Sequence, residues 1–173
     1  MMKNDLESLV KAFVDSINNE NSVLESLALV SQDKQQLIIK GNVKELDSLI
    51  SKEGIIISHL EELEDARFKL QEKLQETWGI SSEAPVAREI LSQASREVST
   101  MHQELEMAIS KLDYNLTRLK ALNNHNYELI EQSLDYIANI QSTLTGPPST
   151  TYSPTGTQQP DPPTGVNLLD KKV

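Results

Sequence analysis

Apolar side chains recur along this chain in alternating steps of three and four. That spacing gathers them on one side of an α-helix and lets the side pack along a neighbouring helix. In a first window, about residues 4–40, Leu6, Val10, Phe13, Ile17, Leu24, Leu27 and Ile38 keep the rhythm, and Glu20, Ser31 and Lys34 interrupt it. Asn4 followed by Glu7 has the form of a capping box. Gly41 suits a left-handed stop, and Asn42 with Glu45 repeats the capping box. The second window, about 42–78, draws its apolar face from Leu46, Leu49, Ile50, Ile56, Ile57, Leu60, Leu63, Leu70 and Leu74. A connection this short folds the two windows into an antiparallel hairpin. Each arm is about 35 residues, or about 50 Å long.

Trp78-Gly79-Ile80-Ser81-Ser82 breaks the pattern, with Trp78 expected to pack at the end of the hairpin. Ser82 is the expected N-cap of the next helix, and Pro85 falls in its first turn, where proline is tolerated. Ala87, Leu91, Ala94, Val98, Met101, Leu105, Ala108 and Leu112 then alternate four and three, continued by Leu119 and Leu122. Asn123-Asn124-His125-Asn126 places weak helix formers in succession. At up to about 0.7 kcal/mol each, they predict a break or bend between helices of about 83–122 and 125–144. One continuous helix is the alternative, because the register resumes at Leu129, Tyr136 and Ile140.

Beyond Leu144 the composition changes, and residues 146–173 hold six of the seven prolines and three of the six glycines. A disordered tail is expected there. The fold class is therefore all-α: an elongated antiparallel bundle of three to four long helices over 1–145, followed by a tail over 146–173.

Charge and composition narrow the function. A formal net charge of −10 argues against nucleic acid or an anionic membrane surface as the main partner. With no cysteine, disulfides, thiol catalysis and thiolate metal sites are excluded. The longest apolar runs are about four residues, far below the roughly 20 that span a bilayer. The first residues lack the apolar core of a signal peptide, so a soluble, cytoplasmic protein is expected. The sparse glycines form no phosphate loop or dinucleotide fingerprint, and there is no G-x-S-x-G elbow. A di-iron bundle needs Glu three residues before His. Ile56, Ser99 and Leu122 stand there before His59, His102 and His125. His102 with Glu106 has metal-ligand spacing but is expected to be a solvated pair. Glu61, Glu62, Glu64 and Asp65 are expected to be a solvated face beside Arg67 and Lys69. No catalytic residue, metal or cofactor is expected.

What remains is apolar surface. At 100° per residue, Leu129, Ile130, Leu134, Tyr136, Ile137, Ile140 and Leu144 cover an arc of about 160°, wider than the roughly 100° a surface helix needs. Either two neighbours bury the excess or it is kept for a partner helix.

Leu37-Ile38-Ile39-Lys40-Gly41-Asn42-Val43-Lys44-Glu45-Leu46, Ser51-Lys52-Glu53 and the stretch from Leu60 to Arg67 resemble the first half of the FlgN-type flagellar export chaperones. Leu119-Lys120-Ala121-Leu122-Asn123, Asn126, and Leu129-Ile130-Glu131-Gln132-Ser133-Leu134-Asp135-Tyr136-Ile137 resemble the second half. Thr151-Tyr152-Ser153-Pro154-Thr155-Gly156 is similar to the family's tail motif, so the likeness spans about 5–156. The resemblance implies a cytoplasmic, ATP-independent helical chaperone. Its clients would be the C-terminal segments of the two hook-associated proteins that join hook and filament. Its docking target would be the cytoplasmic domain of the export-gate protein FlhA. By position, client binding falls on the apolar residues of 129–144, and gate docking on Tyr152. The proline-rich stretch beyond Gly156 departs from the family pattern. The rival reading is a structural coiled-coil spacer that oligomerises through the third window; weak self-association is compatible with both.

Overall fold

The computed structural model describes residues 3–81 and 85–145. It contains α1 (Lys3–Lys40), α2 (Val43–Trp78), α3 (Val86–Glu97) and α4 (Ser99–Thr145), and no strand among the described residues. The chain divides into two compact units, Met1–Leu134 and Asp135–Val173. The predicted Ser82 cap and the tail over 146–173 lie outside the described residues.

Two Schellman closures delimit the hairpin arms. After α1, the Gly41 N–H donates to Ile38 O (3.1 Å) and the Asn42 N–H to Leu37 O (3.0 Å). After α2, the Gly79 N–H donates to Glu76 O (3.4 Å) and the Ile80 N–H to Gln75 O (2.9 Å). Both glycines sit at positive φ, +66° and +63°, where a Cβ would crowd the following carbonyl. Asn42 also caps α2, its Oδ1 accepting from the Glu45 N–H at 3.3 Å. The reciprocal half of the predicted capping box is replaced, because the Asn42 N–H is already committed to Leu37. At the other end, α1 includes Asn4, which is therefore not the cap the sequence suggested.

Gly41→Ala is expected to destabilise by about 1 kcal/mol through backbone strain. Gly54 lies inside α2 with open space where a Cβ would stand. Gly54→Ala is expected to stabilise by about 0.8–1 kcal/mol, the helix-propensity difference. Urea melts that moved in the same direction for both would contradict this assignment.

The core forms where all four helices meet. Leu6, Val10, Phe13, Val14 and Ile17 of α1 pack with Leu74 of α2, Ile90 and Ala94 of α3, Val98, and Leu105 and Ala108 of α4. Trp78 packs half-buried against this cluster, as expected for the hairpin's end. Farther along α2 the predicted face is thinner. Leu46, Leu49, Ile56, Leu60 and Leu63 are half-buried, while Ile50 and Ile57, assigned to that face from sequence, are exposed one step off the seam. In α3, Ala87 is exposed and Ile90 buried, so the buried row runs through the i+4 series Val86, Ile90, Ala94 and Val98.

The interruptions of the α1 stripe carry polar links. Glu20 accepts from Arg67 Nε at 2.8 Å, and Lys34 Nζ donates to Glu53 at 2.8 Å. Glu53 and Arg67 lie on α2's three-and-four register, between Leu49 and Ile56 and between Leu63 and Leu70. Fourteen residues, two heptads, separate Glu20 from Lys34 and likewise Glu53 from Arg67. The two ion pairs therefore hold one antiparallel register. Burial raises the Glu20 pKa above its ordinary value, outweighing the opposing pull of Arg67.

A second polar set ties α1 to α4. Asn21 Nδ2 donates to Ala108 O (3.2 Å), and Asn115 Nδ2 donates to Asn21 Oδ1 (3.0 Å). Ser31 Oγ donates to Asn123 Oδ1 (2.8 Å), and Asn126 Nδ2 donates to Ser31 O (2.8 Å). Partner numbers rise together, so α1 and α4 run parallel in this unit.

These bonds explain why the break predicted at 123–126 is absent. Asn123 and Asn126 spend their amides on α1, and so do not compete for their own helix backbone. The interruption lies instead at Val98 (φ −136°, ψ 52°), whose N–H still donates to Ala94 O at 2.9 Å. Val98 is buried in the core, which holds that single non-helical residue in place. Pro85 occupies the capping position before α3 rather than its first turn.

Candidate functional site

From Leu105 to Asn126 the seam side of α4 is covered throughout, with Leu105, Ala108, Asn115 and Asn126 buried and Leu112, Leu119 and Leu122 half-buried. Beyond the Asn126 tie to Ser31 this coverage ends. Within the first unit, Leu129 is half-buried, whereas Ile130 and Leu134 are exposed. In the second unit, Tyr136, Ile137, Ile140 and Leu144 are 67%, 49%, 40% and 79% exposed. Six of the seven apolar residues singled out from sequence are thus open to solvent.

The helix here satisfies its small polar groups internally. Ser133 Oγ donates to Leu129 O and Thr143 Oγ1 to Asn139 O, both at 2.8 Å. Tyr127 OH donates to Glu131 Oε1 at 2.7 Å, and this bond to the carboxylate raises the tyrosine pKa. What the helix presents for recognition is therefore mainly aliphatic surface and two phenol rings, Tyr127 and Tyr136. Such a surface gains free energy when a second amphipathic helix covers it, at about 25 cal/mol per Å² of apolar area removed from water.

No group of three or more histidine, aspartate or glutamate side chains is placed to hold a metal ion among the described residues. His59 lies 3.8 Å from Glu62 with both side chains exposed. Surface depressions are open grooves, such as the one lined by Asp33, Leu37, Lys40, Glu45 and Lys52. No described helix is long and apolar enough to cross a membrane.

The structure adds an exposed apolar row on α2, two of whose members, Ile50 and Ile57, periodicity had folded into the core face. Val43, Ile50 and Ile57 recur every seven residues and are all exposed. The doublets Leu49-Ile50 and Ile56-Ile57 were the available signal, since a narrow seam takes only one residue of each pair. Tyr152 lies outside the described residues.

The FlgN protein family model matches residues 1–160. The chain is 27% identical over 128 residues to "Uncharacterized protein YvyG" of Bacillus subtilis (strain 168), a match covering 74% of this chain and 76% of that protein. No solved structure matches the chain significantly.

Proposed function

This chain belongs to the FlgN family of flagellar export chaperones, and from that premise we propose that it shelters the C-terminal helical segments of hook-associated proteins in the cytoplasm and hands them to the export gate. Leu129, Ile130, Leu134, Tyr136, Ile137, Ile140 and Leu144 receive the client. Tyr152 docks on the cytoplasmic domain of FlhA. The chain works by binding, without catalysis or cofactor. The observation that carries this reading is the exposure of the apolar residues at the end of α4.

The mechanism is reversible coverage. A client segment that stays unfolded until it polymerises exposes apolar surface and aggregates or assembles early. As an amphipathic helix laid on α4, it hides that surface and the chaperone's own. A micromolar dissociation constant, about 8 kcal/mol, is tight enough for escort and weak enough for release at the gate. Tyrosine suits the docking role because it buries a large area while ordering few rotatable bonds.

Truncation tests the division of labour. A chain ending at Thr145 is expected to retain client binding by calorimetry and to lose export stimulation; loss of the client-binding heat would place the client site in the tail. Tyr152→Ala is expected to weaken FlhA binding by about 2 kcal/mol, roughly thirtyfold, as for an interface hot spot. Equal pull-down of FlhA by both proteins would remove Tyr152 from the docking site.

The exposed row Val43, Ile50 and Ile57 favours the second reading, a spacer that self-associates. Light scattering separates the two. A tight oligomer that ignores hook-associated segments supports the spacer, and a monomer or weak oligomer that binds them supports the chaperone.

A further inference from the structure

We propose that the last residues of this chain, 166–173, dock on the exposed row formed by Tyr136, Ile137, Ile140 and Leu144 and act as a placeholder that the client displaces. The displacement half of this proposal rests on the client face proposed above; the tail contact does not.

Four observations lead to this occupant. The four side chains of the row are 40–79% exposed, and the chain continues for 28 residues beyond the end of α4. The tail itself ends on apolar character. Val166, Leu169 and Val173 are spaced three and four apart, the step that puts them on one side of a short helix, with Leu168 beside them. A polar, proline-rich stretch precedes this end, so the apolar character is confined to its last eight residues.

Charge supplies the third observation. After Lys120 the next lysine or arginine in the sequence is Lys171, so the fifty residues 121–170 hold neither. Glu128, Glu131 and Asp135 fall within the gap on α4, Asp161 and Asp170 fall within it beyond α4, and Lys171 and Lys172 are the cations that close it. The segment 166–173 is thus apolar with two lysines against one carboxylate, Asp170, and the apolar row of α4 is preceded directly by Asp135.

Reach is the fourth. Twenty residues, 146–165, connect the end of α4 to the segment. As a coil they span about 25 Å root-mean-square, taking 5–6 Å times the square root of length. The row from Leu144 back to Tyr136 is about 12 Å long at 1.5 Å per residue. A connection of this kind gives an effective concentration of order millimolar. A segment of eight residues with millimolar intrinsic affinity then occupies the row for about half the time, and a micromolar client displaces it.

The absence of cysteine makes the test specific. The full-length Gly165→Cys chain carries a nitroxide at one site, and attenuation of backbone amide signals is read along α4. Amides of Ile137 and Ile140 are expected to be attenuated at least twofold more than in the same labelled chain bearing Leu168→Asp and Leu169→Asp. Equal attenuation in the two overturns the proposal, because both have the same connection and only one has the apolar end. Lys171→Glu with Lys172→Glu is expected to give an intermediate value that approaches the parent as salt is raised. Attenuation in a mixture of a spin-labelled chain and a separate isotope-labelled chain would assign the segment to a second copy and overturn the intramolecular contact. A peptide of the C-terminal helix of a hook-associated protein is expected to restore the signals. If the peptide binds and the leucine-dependent attenuation persists, the tail contact stands and the client face proposed above falls. Removing 166–173 is expected to tighten client binding two- to threefold, as relief from a half-occupied competitor requires.

Discussion

Arg67→Leu is expected to lower the stability of the helical unit by about 3 kcal/mol, and Glu20→Leu combined with it to recover most of the loss. Glu20 is only 4% exposed, and its carboxylate faces the Arg67 guanidinium at 2.8 Å. Without the guanidinium, a buried carboxylate must either stay charged at high cost or hold a proton. With both groups replaced by leucine, the seam becomes continuous and neither desolvation penalty remains. The expected shift in melting temperature for the single variant is about 10 °C in a unit of this size.

Acidity supplies an internal check. Burial already raises the Glu20 pKa above 4.5, so the folded chain holds this proton to higher pH than the unfolded chain does. The stability this carboxyl contributes is present below about 4.5 and is lost as pH rises through the folded value. Losing Arg67 raises the folded value further. The deficit of Arg67→Leu is therefore expected to be largest at pH 7 and to shrink on acidification. Urea melts showing equal deficits at pH 7 and 4.5 would mean that the guanidinium acts through packing alone.

Ile137→Asp is expected to weaken client binding more than a hundredfold, about 3 kcal/mol, with the melting temperature unchanged. The substitution places a carboxylate without a partner under the client helix, where its desolvation is uncompensated. Ile137 is 49% exposed in the free chain, so no comparable penalty applies there. Ile55→Asp is the control, because Ile55 is 73% exposed on α2. Calorimetry with a hook-associated C-terminal peptide reads both. A folded Ile137→Asp chain with unchanged affinity would remove the end of α4 from the client site.

The helices were legible in the sequence where apolar periodicity and glycine punctuation agree. Gly41 and Gly79 stop α1 and α2 at the expected places, and the α1 stripe is buried from Leu6 to Leu27. The seam's polar members were legible as interruptions only. That Glu20 would meet Arg67, and Lys34 Glu53, required the three-dimensional register. Propensity misplaced the break because it weighs residues singly. The asparagines at 123 and 126 are stabilised by Ser31, 92 and 95 residues away in the chain, and no local rule contains that bond. Val98 carries neither glycine nor proline to announce the interruption. At the site, a wide arc identified unusual apolar content but could not distinguish burial from exposure, a question of which neighbours run alongside.

The equal spacing of the two buried ion pairs also constrains how such a hairpin can change length. A single inserted residue between Glu20 and Lys34 would rotate one charge off the seam by about 100° and strand its counterpart. Only insertions of whole seven-residue blocks, made in both arms at matching distances from the Gly41 joint, leave each cation opposite its anion. Natural size variants of this hairpin should therefore differ by paired heptads, and an alignment showing unpaired single-residue gaps between the locks would mean that those variants have surrendered one of them.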